Sequence, residues 1–354
     1  MIASDVPRES LVALTGATGF LGSHIADILL NRGFHLRVSA RATSDLRWLR
    51  GKPLEIQQVP LVPPAGRSQA TAAGTPAEIS DQARHNPEVR EFLAGARAVI
   101  HCAGVTVARN EAEYGRHNVD TTSRLLAAAR RTPTCRVFVL ISSLAAGGPG
   151  TAAEPRREED PCQPISAYGR SKLAAERLLA DRTLPFRTVI LRPPALYGPR
   201  DRAFLPLFRL ARSGWLPRLG RQLQSLSLVD ARDAARATHT LLTTASATGP
   251  YYIDDGHAYG WREIAAALAR ACNRHVRTFI VPAGLLRTAA RLVGPRLAQR
   301  STMLNEGRLG DISVPGWVCS GEKLRRDTGF GAHWNLESGF TETMAYYLRN
   351  GWLT

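Results

Sequence analysis

The chain has 354 residues and a formal net charge of +16, with 44% hydrophobic and 21% charged residues. This length can bury one large core or two closely packed ones, and no apolar run reaches the roughly 18 residues that span a bilayer. The N-terminal residues lack an apolar signal core and the positive charge comes without a nucleic-acid recognition motif, so we expect a cytoplasmic protein that binds no nucleic acid.

Strand-like and helix-like segments alternate through the first half of the chain. The predicted strands are Leu11–Thr15, Phe34–Ala40, Glu55–Val59, Ala98–Cys102, Val137–Ile141 and Arg187–Leu191. The predicted helices are His24–Asn31, Val119–Arg131 and Ser166–Ala180. Strands separated by helices pair in parallel through right-handed crossovers, so the predicted fold class is α/β, a Rossmann-type doubly wound parallel sheet.

The second half loses this alternation. We therefore predict an NAD(P)-binding Rossmann domain over residues 1–198 and, mainly, a smaller substrate-binding cap over 199–354, with 226–255 returning to the Rossmann core. Helices are predicted over Trp261–Cys272 and Ala283–Arg300. The second has an apolar stripe flanked by arginines, which suits a packed cap helix and also a weak membrane-surface contact. Pro60–Asn86, rich in proline and glycine, is predicted to be a surface loop.

A glycine-rich turn joins the first strand to the first helix. Leu11–Gly22 reads LVALTGATGFLG, in which glycines at 16, 19 and 22 allow a tight turn, close approach of a pyrophosphate and close packing of helix on strand. Amides at the start of a helix face a bound phosphate. The predicted cofactor contacts in this turn are Gly16, Thr18, Gly19, Phe20, Leu21 and Gly22.

The residues after the second strand bear on which nicotinamide cofactor binds. An acid there would bind the ribose 2′-hydroxyl of NAD, whereas an arginine favours the 2′-phosphate of NADP. The first acid is Asp45, while Arg41 lies at the strand end with Thr43 and Ser44 close by. This pattern favours NADP(H) and leaves NAD(H) open.

Several motifs resemble those of the extended short-chain dehydrogenase/reductase family, the NAD-dependent epimerase/dehydratase superfamily, and most closely its dihydroflavonol reductase and 3β-hydroxysteroid dehydrogenase branch. They are TGATGFLG (Thr15–Gly22), HCAG (His101–Gly104), NVDTT (Asn118–Thr122), ISS (Ile141–Ser143), YGRSK (Tyr168–Lys172), LRPPALYGPRD (Leu191–Asp201) and VDARDAARA (Val229–Ala237). The resemblance implies that Cys102, Ala103, Gly104 and Pro193 lie beside the cofactor, that Asn118 lies near the catalytic group, and that Tyr197 and Arg200 face the substrate. It also implies a homodimer through the helices at Val119–Arg131 and Ser166–Ala180.

One departure is that Gly147 or Gly148 stands where the family usually has a tyrosine, which predicts a more open pocket wall.

The predicted catalytic group is Tyr168, Lys172 and Ser143. Tyr168 and Lys172 are four residues apart on a predicted helix, so both project from one face. A phenol with the usual pKa of about 10 is a poor base at neutral pH, and a neighbouring ammonium and the positive nicotinamide ring stabilise its phenolate. Ser143 ends a strand at the sheet edge where ligands of such folds bind. Ser142 competes for that role, and the family pattern favours Ser143.

The pattern predicts an NAD(P)(H)-dependent oxidoreductase that transfers hydride between nicotinamide and a small-molecule secondary alcohol or ketone, with Tyr168 as general acid and base. The alternatives are a sugar-nucleotide epimerase with bound NAD, for which arginines 209, 212, 218 and 221 could hold a diphosphate, and a catalytically inactive nucleotide-sensing scaffold. Leu144 and Ala145, where dehydratases have an acid pair, argue against dehydration. The five scattered cysteines show no metal-ligand spacing, so no metal is predicted.

Overall fold

The computed structural model describes residues 5–63, 86–181, 183–219, 225–281 and 314–353. Its strands are β1 Leu11–Thr15, β2 His35–Ala40, β3 Glu55–Gln58, β4 Ala98–His101, β5 Val137–Ile141, β6 Arg187–Arg192, β7 Ala195–Tyr197, β8 Trp215–Leu219, β9 Ser225–Leu226, β10 Leu228–Asp230, β11 Gly249–Tyr252, β12 Tyr259–Gly260, β13 Arg277–Val281 and β14 Gly316–Trp317. Its helices are α1 Phe20–Asn31, α2 Pro87–Leu93, α3 Glu111–Tyr114, α4 Thr121–Ala129, α5 Leu144–Gly147, α6 Ala167–Leu178, α7 Leu205–Arg212, α8 Ala231–Thr243, α9 Trp261–Ala271, α10 Glu322–Thr328 and α11 Leu336–Arg349.

The main sheet has seven strands in the order β11–β6–β5–β4–β1–β2–β3, and every neighbouring pair in it is parallel. The predicted doubly wound α/β fold is therefore confirmed. The strand order reverses at β1, so β1 and β4 lie at the topological switch point, where open α/β sheets bind ligands at the carboxyl ends of their strands.

Two helical layers cover the sheet because alternate residues of each buried strand point to opposite faces. Ile100 of β4 packs in the core that α1 and α8 form, whereas Val99 packs in the core beneath α2, α4 and α6. β5 shows the same division, with Val139 on the first side and Phe138 on the second. These parallel strands are buried on both faces, which explains their continuous apolar sequences.

Two helices begin earlier than the sequence predicted. α1 starts at Phe20, because Gly19 has an extended backbone and caps the helix directly after the glycine turn. The helix predicted from Val119 begins at Glu111 as α3 and passes through a π-helical turn, Gly115–Asp120, into α4. Residues 111–120 are mostly polar and include Gly115, so they show no apolar periodicity from which this first part of the helix could be predicted.

A separate core holds the cap together. Tyr197, Phe208, Phe340 and Tyr347 form its centre and are fully buried among α7, α9 and α11. Short strands complete the region as the pairs β7–β10 and β8–β13 and the triplet β12–β9–β14. The predicted helix Ala283–Arg300 and most of the predicted loop Pro60–Asn86 lie outside the described residues. Within the described ranges, every helix is too short or too polar to cross a bilayer.

Candidate active site

The glycine turn after β1 packs directly against the residues that follow β4. Gly16 has φ +75°, and a Cβ added to it would lie 2.6 Å from the backbone nitrogen of Ala103. A Cβ on Gly22 would lie 2.1 Å from the Gly16 carbonyl oxygen, so a side chain at either position would collide with backbone. The structure thus brings the predicted glycine turn together with Cys102 and Ala103.

The start of α1 has the features of an anion site. No side chain caps the helix at Gly19, and its first turn carries no acidic residue. The first amides of a helix lack partners within the helix and carry a partial positive charge. This helix end therefore fits the pyrophosphate of a dinucleotide.

Arg41 follows β2 and is exposed, and its backbone nitrogen donates a hydrogen bond to Ser44 Oγ at 3.0 Å. Asp45, the first acid after the strand, pairs with Arg47, whose hydrogen bonds hold the pKa of that carboxyl below its usual range. An arginine and hydroxyl groups therefore lie at this strand end, and the nearest carboxylate is already engaged.

The helix α6 carries Tyr168 and Lys172 one turn apart. Tyr168 is half-buried, and its ring centroid lies 6.1 Å from that of Tyr114. Lys172 is buried, and its Nζ donates a hydrogen bond to the carbonyl oxygen of Ile141, the last residue of β5, at 2.7 Å. Desolvation lowers the pKa of Lys172 to about 8.

Ser143 lies next to this helix. Its Oγ caps α5 by accepting a hydrogen bond from Ala145 N at 3.2 Å. A Cβ on Gly169, the neighbour of Tyr168, would lie 2.3 Å from the Ala145 carbonyl oxygen, so α5 and α6 pack at close range here. The backbone amide of Leu144, the residue after Ser143, donates a hydrogen bond to the Pro193 carbonyl oxygen at 2.8 Å. Ser143, Tyr168 and Pro193 are thus gathered at the carboxyl ends of β5 and β6.

Ser142, the competing serine, has a different environment. It is buried, and its hydroxyl donates to Glu176 on α6. This engagement leaves Ser143, which is half-buried, as the serine whose hydroxyl can meet a ligand.

Asn118 lies within the π-helical turn and is buried. Its Oδ1 accepts from Val105 N at 2.9 Å, and its Nδ2 donates to the Val105 carbonyl oxygen at 3.1 Å and to Ser171 Oγ at 2.9 Å. A Cβ on Gly104 would lie 2.9 Å from Asn118 Oδ1 and 3.8 Å from Lys172 Nζ. Asn118, Gly104 and Lys172 therefore share one small volume, as the resemblance implied.

Cys102 also lies beside Lys172. Desolvation raises the pKa of its thiol to about 12, so the sulfur is a neutral group at physiological pH. In the described residues no cluster of His, Cys, Asp and Glu could hold a metal ion.

Sequence reasoning missed a buried ion pair beside Ser142. Arg192 Nη2 lies 2.6 Å from Glu176 Oε2, and both side chains are 4% exposed. Arg192 Nη1 also donates to the hydroxyl of Tyr252 on β11 at 3.0 Å. Glu176 is one helical turn after Lys172, within the predicted helix Ser166–Ala180. Arg192 directly follows the predicted apolar strand Arg187–Leu191, and a charged residue in that place was the available signal.

Tyr252 also corrects the prediction of a more open pocket wall. A Cβ on Gly147 would lie 1.8 Å from the Tyr252 hydroxyl, and one on Gly148, at φ +100°, would lie 2.3 Å from the Gln163 carbonyl oxygen. The space that a side chain at 147 would occupy is thus filled by an aromatic residue from β11.

A series of buried hydrogen bonds, which the sequence analysis also missed, connects β1 to the backbone of Asn118. His101 Nδ1 lies 2.8 Å from Thr15 Oγ1, and its Nε2 lies 3.1 Å from Thr122 Oγ1. Thr122 Oγ1 in turn donates to the Asn118 carbonyl oxygen at 2.6 Å. Burial lowers the pKa of His101 to about 3, so the ring is neutral and links β1, β4 and α4 as a hydrogen-bonding spacer.

Two residues expected on the substrate side have other environments. Tyr197 is fully buried in the cap core, and its hydroxyl donates to the Asn335 carbonyl oxygen at 3.0 Å. Arg200, at φ +74°, pairs with Asp27 of α1 at 2.6 Å. The buried Tyr197 hydroxyl therefore does not fit a substrate role. Arg200 Nη1 is buried without a hydrogen-bond partner among the described residues, and the substrate role of Arg200 stays a prediction. Asp233, which lies in another of the motifs that resemble the family, accepts hydrogen bonds from the amides of residues 333 and 334 and from Arg236, so it has a structural role.

Comparison with known proteins adds a family and several relatives. The model of the NAD dependent epimerase/dehydratase family matches residues 12–253. The chain is 30% identical over 350 residues to the ceramide reductase of Caulobacter vibrioides, covering 98% of this chain and 96% of that protein. It is 28% identical over 290 residues to a 4-hydroxy-2-methyl-3-oxo-4-farnesyl-3,4-dihydroquinoline-1-oxide ketoreductase of Stigmatella aurantiaca, covering 79% and 78%. A solved UDP-glucose 4-epimerase of Thermotoga maritima has a similar fold, with a TM-score of 0.73 at 18% identity over 96% of this chain and 99% of that one.

Proposed function

The chain belongs to the NAD dependent epimerase/dehydratase family and is an NAD(P)-dependent oxidoreductase of the extended short-chain dehydrogenase/reductase type, and from this premise we propose that it uses NADPH to reduce a ketone on a long-chain lipid. The similarity to a ceramide reductase over almost the whole of both chains carries this proposal. The farnesyl-dihydroquinoline ketoreductase of Stigmatella aurantiaca points in the same direction, because the molecule in its name is large and mainly apolar.

The residues divide the work as follows in this proposal. Gly16–Gly22 and the α1 amides hold the pyrophosphate, Arg41 holds a 2′-phosphate, and Lys172 holds the nicotinamide ribose. The bound nicotinamide supplies the hydride. Ser143 donates a hydrogen bond to the carbonyl oxygen of the substrate, and Tyr168 gives that oxygen its proton. Lys172 and Asn118 then link Tyr168 to neighbouring polar groups, through which the tyrosine hydroxyl regains its proton.

The epimerase alternative has weaker support. The solved epimerases with a similar fold, at 18% and 22% identity, show the fold alone. Among the arginines suggested as a diphosphate clamp, Arg209 donates to the backbone of Trp352, and Arg221 lies outside the described residues. The reductase proposal is tested by NADPH oxidation with a ceramide analogue in which one secondary hydroxyl is a ketone. Epimerisation consumes no net reduced cofactor, so the alternative is tested separately by the appearance of the 4-epimer of UDP-glucose in the presence of NAD. Conversion of UDP-glucose and not of the lipid ketone would favour the epimerase alternative.

Cofactor preference gives the first prediction. A ligand that binds the native state 100-fold more tightly adds about 2.7 kcal/mol of stability at equal saturating concentration. NADPH should therefore raise the melting temperature more than NADH does, and Arg41→Asp should shrink or reverse the difference. Arg50→Asp, an exposed arginine in the same segment, is the control that should keep it. Equal shifts by both cofactors in the unmodified protein would contradict the NADPH assignment.

The lowered pKa of Lys172 gives a second prediction. Because its pKa is about 8, the ammonium form is lost as the pH rises through that value. A charge-assisted hydrogen bond to the ribose contributes about 1.5–3 kcal/mol, so NADPH affinity should fall about tenfold or more between pH 7 and 9.5. The titration is best made in Tyr168→Phe, where the phenol cannot contribute. The decline should be absent from Lys172→Met in that background, and a decline of equal size there would disprove the assignment.

The homodimer stays a prediction, through α4 and α6 across a two-fold axis. Light scattering at micromolar concentration should give twice the 38.5 kDa chain mass. A monomer mass under those conditions would exclude it.

A further inference from the structure

An exposed apolar surface lies on the cap, on the two-stranded parallel ribbon formed by β8 and β13. Trp215 and Phe279 are 49% and 44% exposed. They lie on the same face of the ribbon, since residues 215, 217, 277 and 279 alternate with those of the opposite face. Their rings meet edge to face with centroids 6.2 Å apart. We call Trp215 and Phe279 the ribbon surface. Large apolar groups gathered at the surface in this way mark an interaction site.

The segments that carry the ribbon surface are positive. Residues 202–219 and 264–281 contain no Asp or Glu and include seven arginines, of which Arg270 is paired with Glu337 of α11: Arg202, Arg209, Arg212, Arg218, Arg270, Arg274 and Arg277. Arg277 lies over the Trp215 ring at 5.9 Å from its centroid, so cation and aromatic group are presented together. Arg274 and Arg277 are both exposed on or beside β13.

This combination fits an anionic lipid bilayer. Tryptophan and other apolar side chains enter the headgroup region, while arginines attract anionic lipid phosphates. A second copy of the chain would place these arginines against their own counterparts, which disfavours self-association.

We propose that the ribbon surface docks this enzyme on the anionic face of a membrane. The proposal goes beyond the reductase activity and uses only described residues. It would place the cap in contact with the phase in which a long-chain lipid ketone dissolves. Residues 283–300, for which the sequence predicts weak membrane contact, follow β13 directly along the chain.

The test is flotation of the full chain with vesicles, without cofactor or substrate. We expect binding to vesicles of equal parts phosphatidylglycerol and phosphatidylcholine, little binding to phosphatidylcholine alone, and weaker binding at high salt. Each arginine near an anionic surface contributes about fivefold, so Arg274→Gln with Arg277→Gln should weaken binding about 25-fold. Trp215→Ser with Phe279→Ser should also weaken it about tenfold or more, since two aromatic side chains no longer leave water.

The control is Ile56→Ser with Arg90→Gln, which removes an exposed apolar residue and an exposed arginine from the Rossmann side and should bind as the unmodified chain does.

Each of the following flotation results would overturn the proposal: no flotation of the unmodified chain, equal loss in the control and ribbon variants, or unchanged binding in both ribbon variants. A fall in oligomer mass in the Trp215→Ser, Phe279→Ser variant would instead identify a protein interface and would also overturn it. An NADPH-induced melting shift establishes that each variant is folded. Activity on the lipid ketone in detergent is measured separately, so failure of docking leaves the reductase proposal standing, and failure of the reductase proposal leaves docking testable.

Discussion

Tyr168→Phe should slow single-turnover hydride transfer by about 10²–10⁴-fold, the usual cost of losing a general acid. The substitution removes one hydroxyl and keeps the ring, so its packing near Tyr114 should persist. NADPH should still bind, because the glycine turn and the α1 amides hold the pyrophosphate. The measurement is stopped-flow loss of NADPH absorbance with the lipid ketone as substrate.

The neighbouring tyrosine provides a matched control. The hydroxyl of Tyr114 donates to the Thr106 carbonyl oxygen at 3.3 Å, and the proposed chemistry does not use it. Tyr114→Phe should therefore stay within about threefold of the unmodified rate, while Lys172→Ala should lose as much as Tyr168→Phe and bind NADPH more weakly. Normal turnover in Tyr168→Phe would show that the tyrosine is structural and would revive the inactive-scaffold alternative.

Arg192→Met should lower the free energy of unfolding by about 3–5 kcal/mol, because it leaves the Glu176 carboxylate buried without its cation. Both side chains are 4% exposed, so water cannot replace the lost partner. The measurement is urea unfolding followed by circular dichroism.

Two further variants separate charge from packing. Arg192→Met combined with Glu176→Gln should recover a large part of the loss, since no charge then stays buried. Arg157→Met breaks an ion pair with Glu322 whose side chains are 47% and 57% exposed, and should cost at most about 1 kcal/mol. Equal losses in Arg157→Met and Arg192→Met would show that burial is not the cause.

The sequence alone could predict the features that depend on local pattern. Continuous apolar strands, the glycine turn and the four-residue spacing of Tyr168 and Lys172 each express a short-range rule, and the structure brings them together at one sheet edge. The same reasoning separated Ser143 from Ser142 only by resemblance, since adjacent residues at a strand end look alike until the partner of each hydroxyl is known.

What could not be predicted depends on residues far apart in the chain. Tyr197 and Arg200 belong to the motif Leu191–Asp201, whose Pro193 lies at the site. Their own side chains bond to Asn335 and Asp27, which are 138 and 173 positions away in the sequence. Likewise, nothing near Gly147 in the sequence indicates that Tyr252 occupies its side-chain space. Such contacts depend on how the cap and β11, which come late in the chain, pack against earlier elements. A local periodicity in the sequence does not predict that packing.

The contact between Gly147 and Tyr252 couples the evolution of two positions 105 residues apart. Since a Cβ at 147 would lie 1.8 Å from the Tyr252 hydroxyl, a side chain at one position and a tyrosine at the other exclude each other on this backbone. Homologues that carry the family's tyrosine after the catalytic serine should therefore have a smaller residue at the position of Tyr252, and those with glycine at 147 should keep an aromatic there. Such paired exchange would appear as covariation between position 147, at the end of α5, and position 252 in β11, and would divide the family according to which of these two elements supplies the ring.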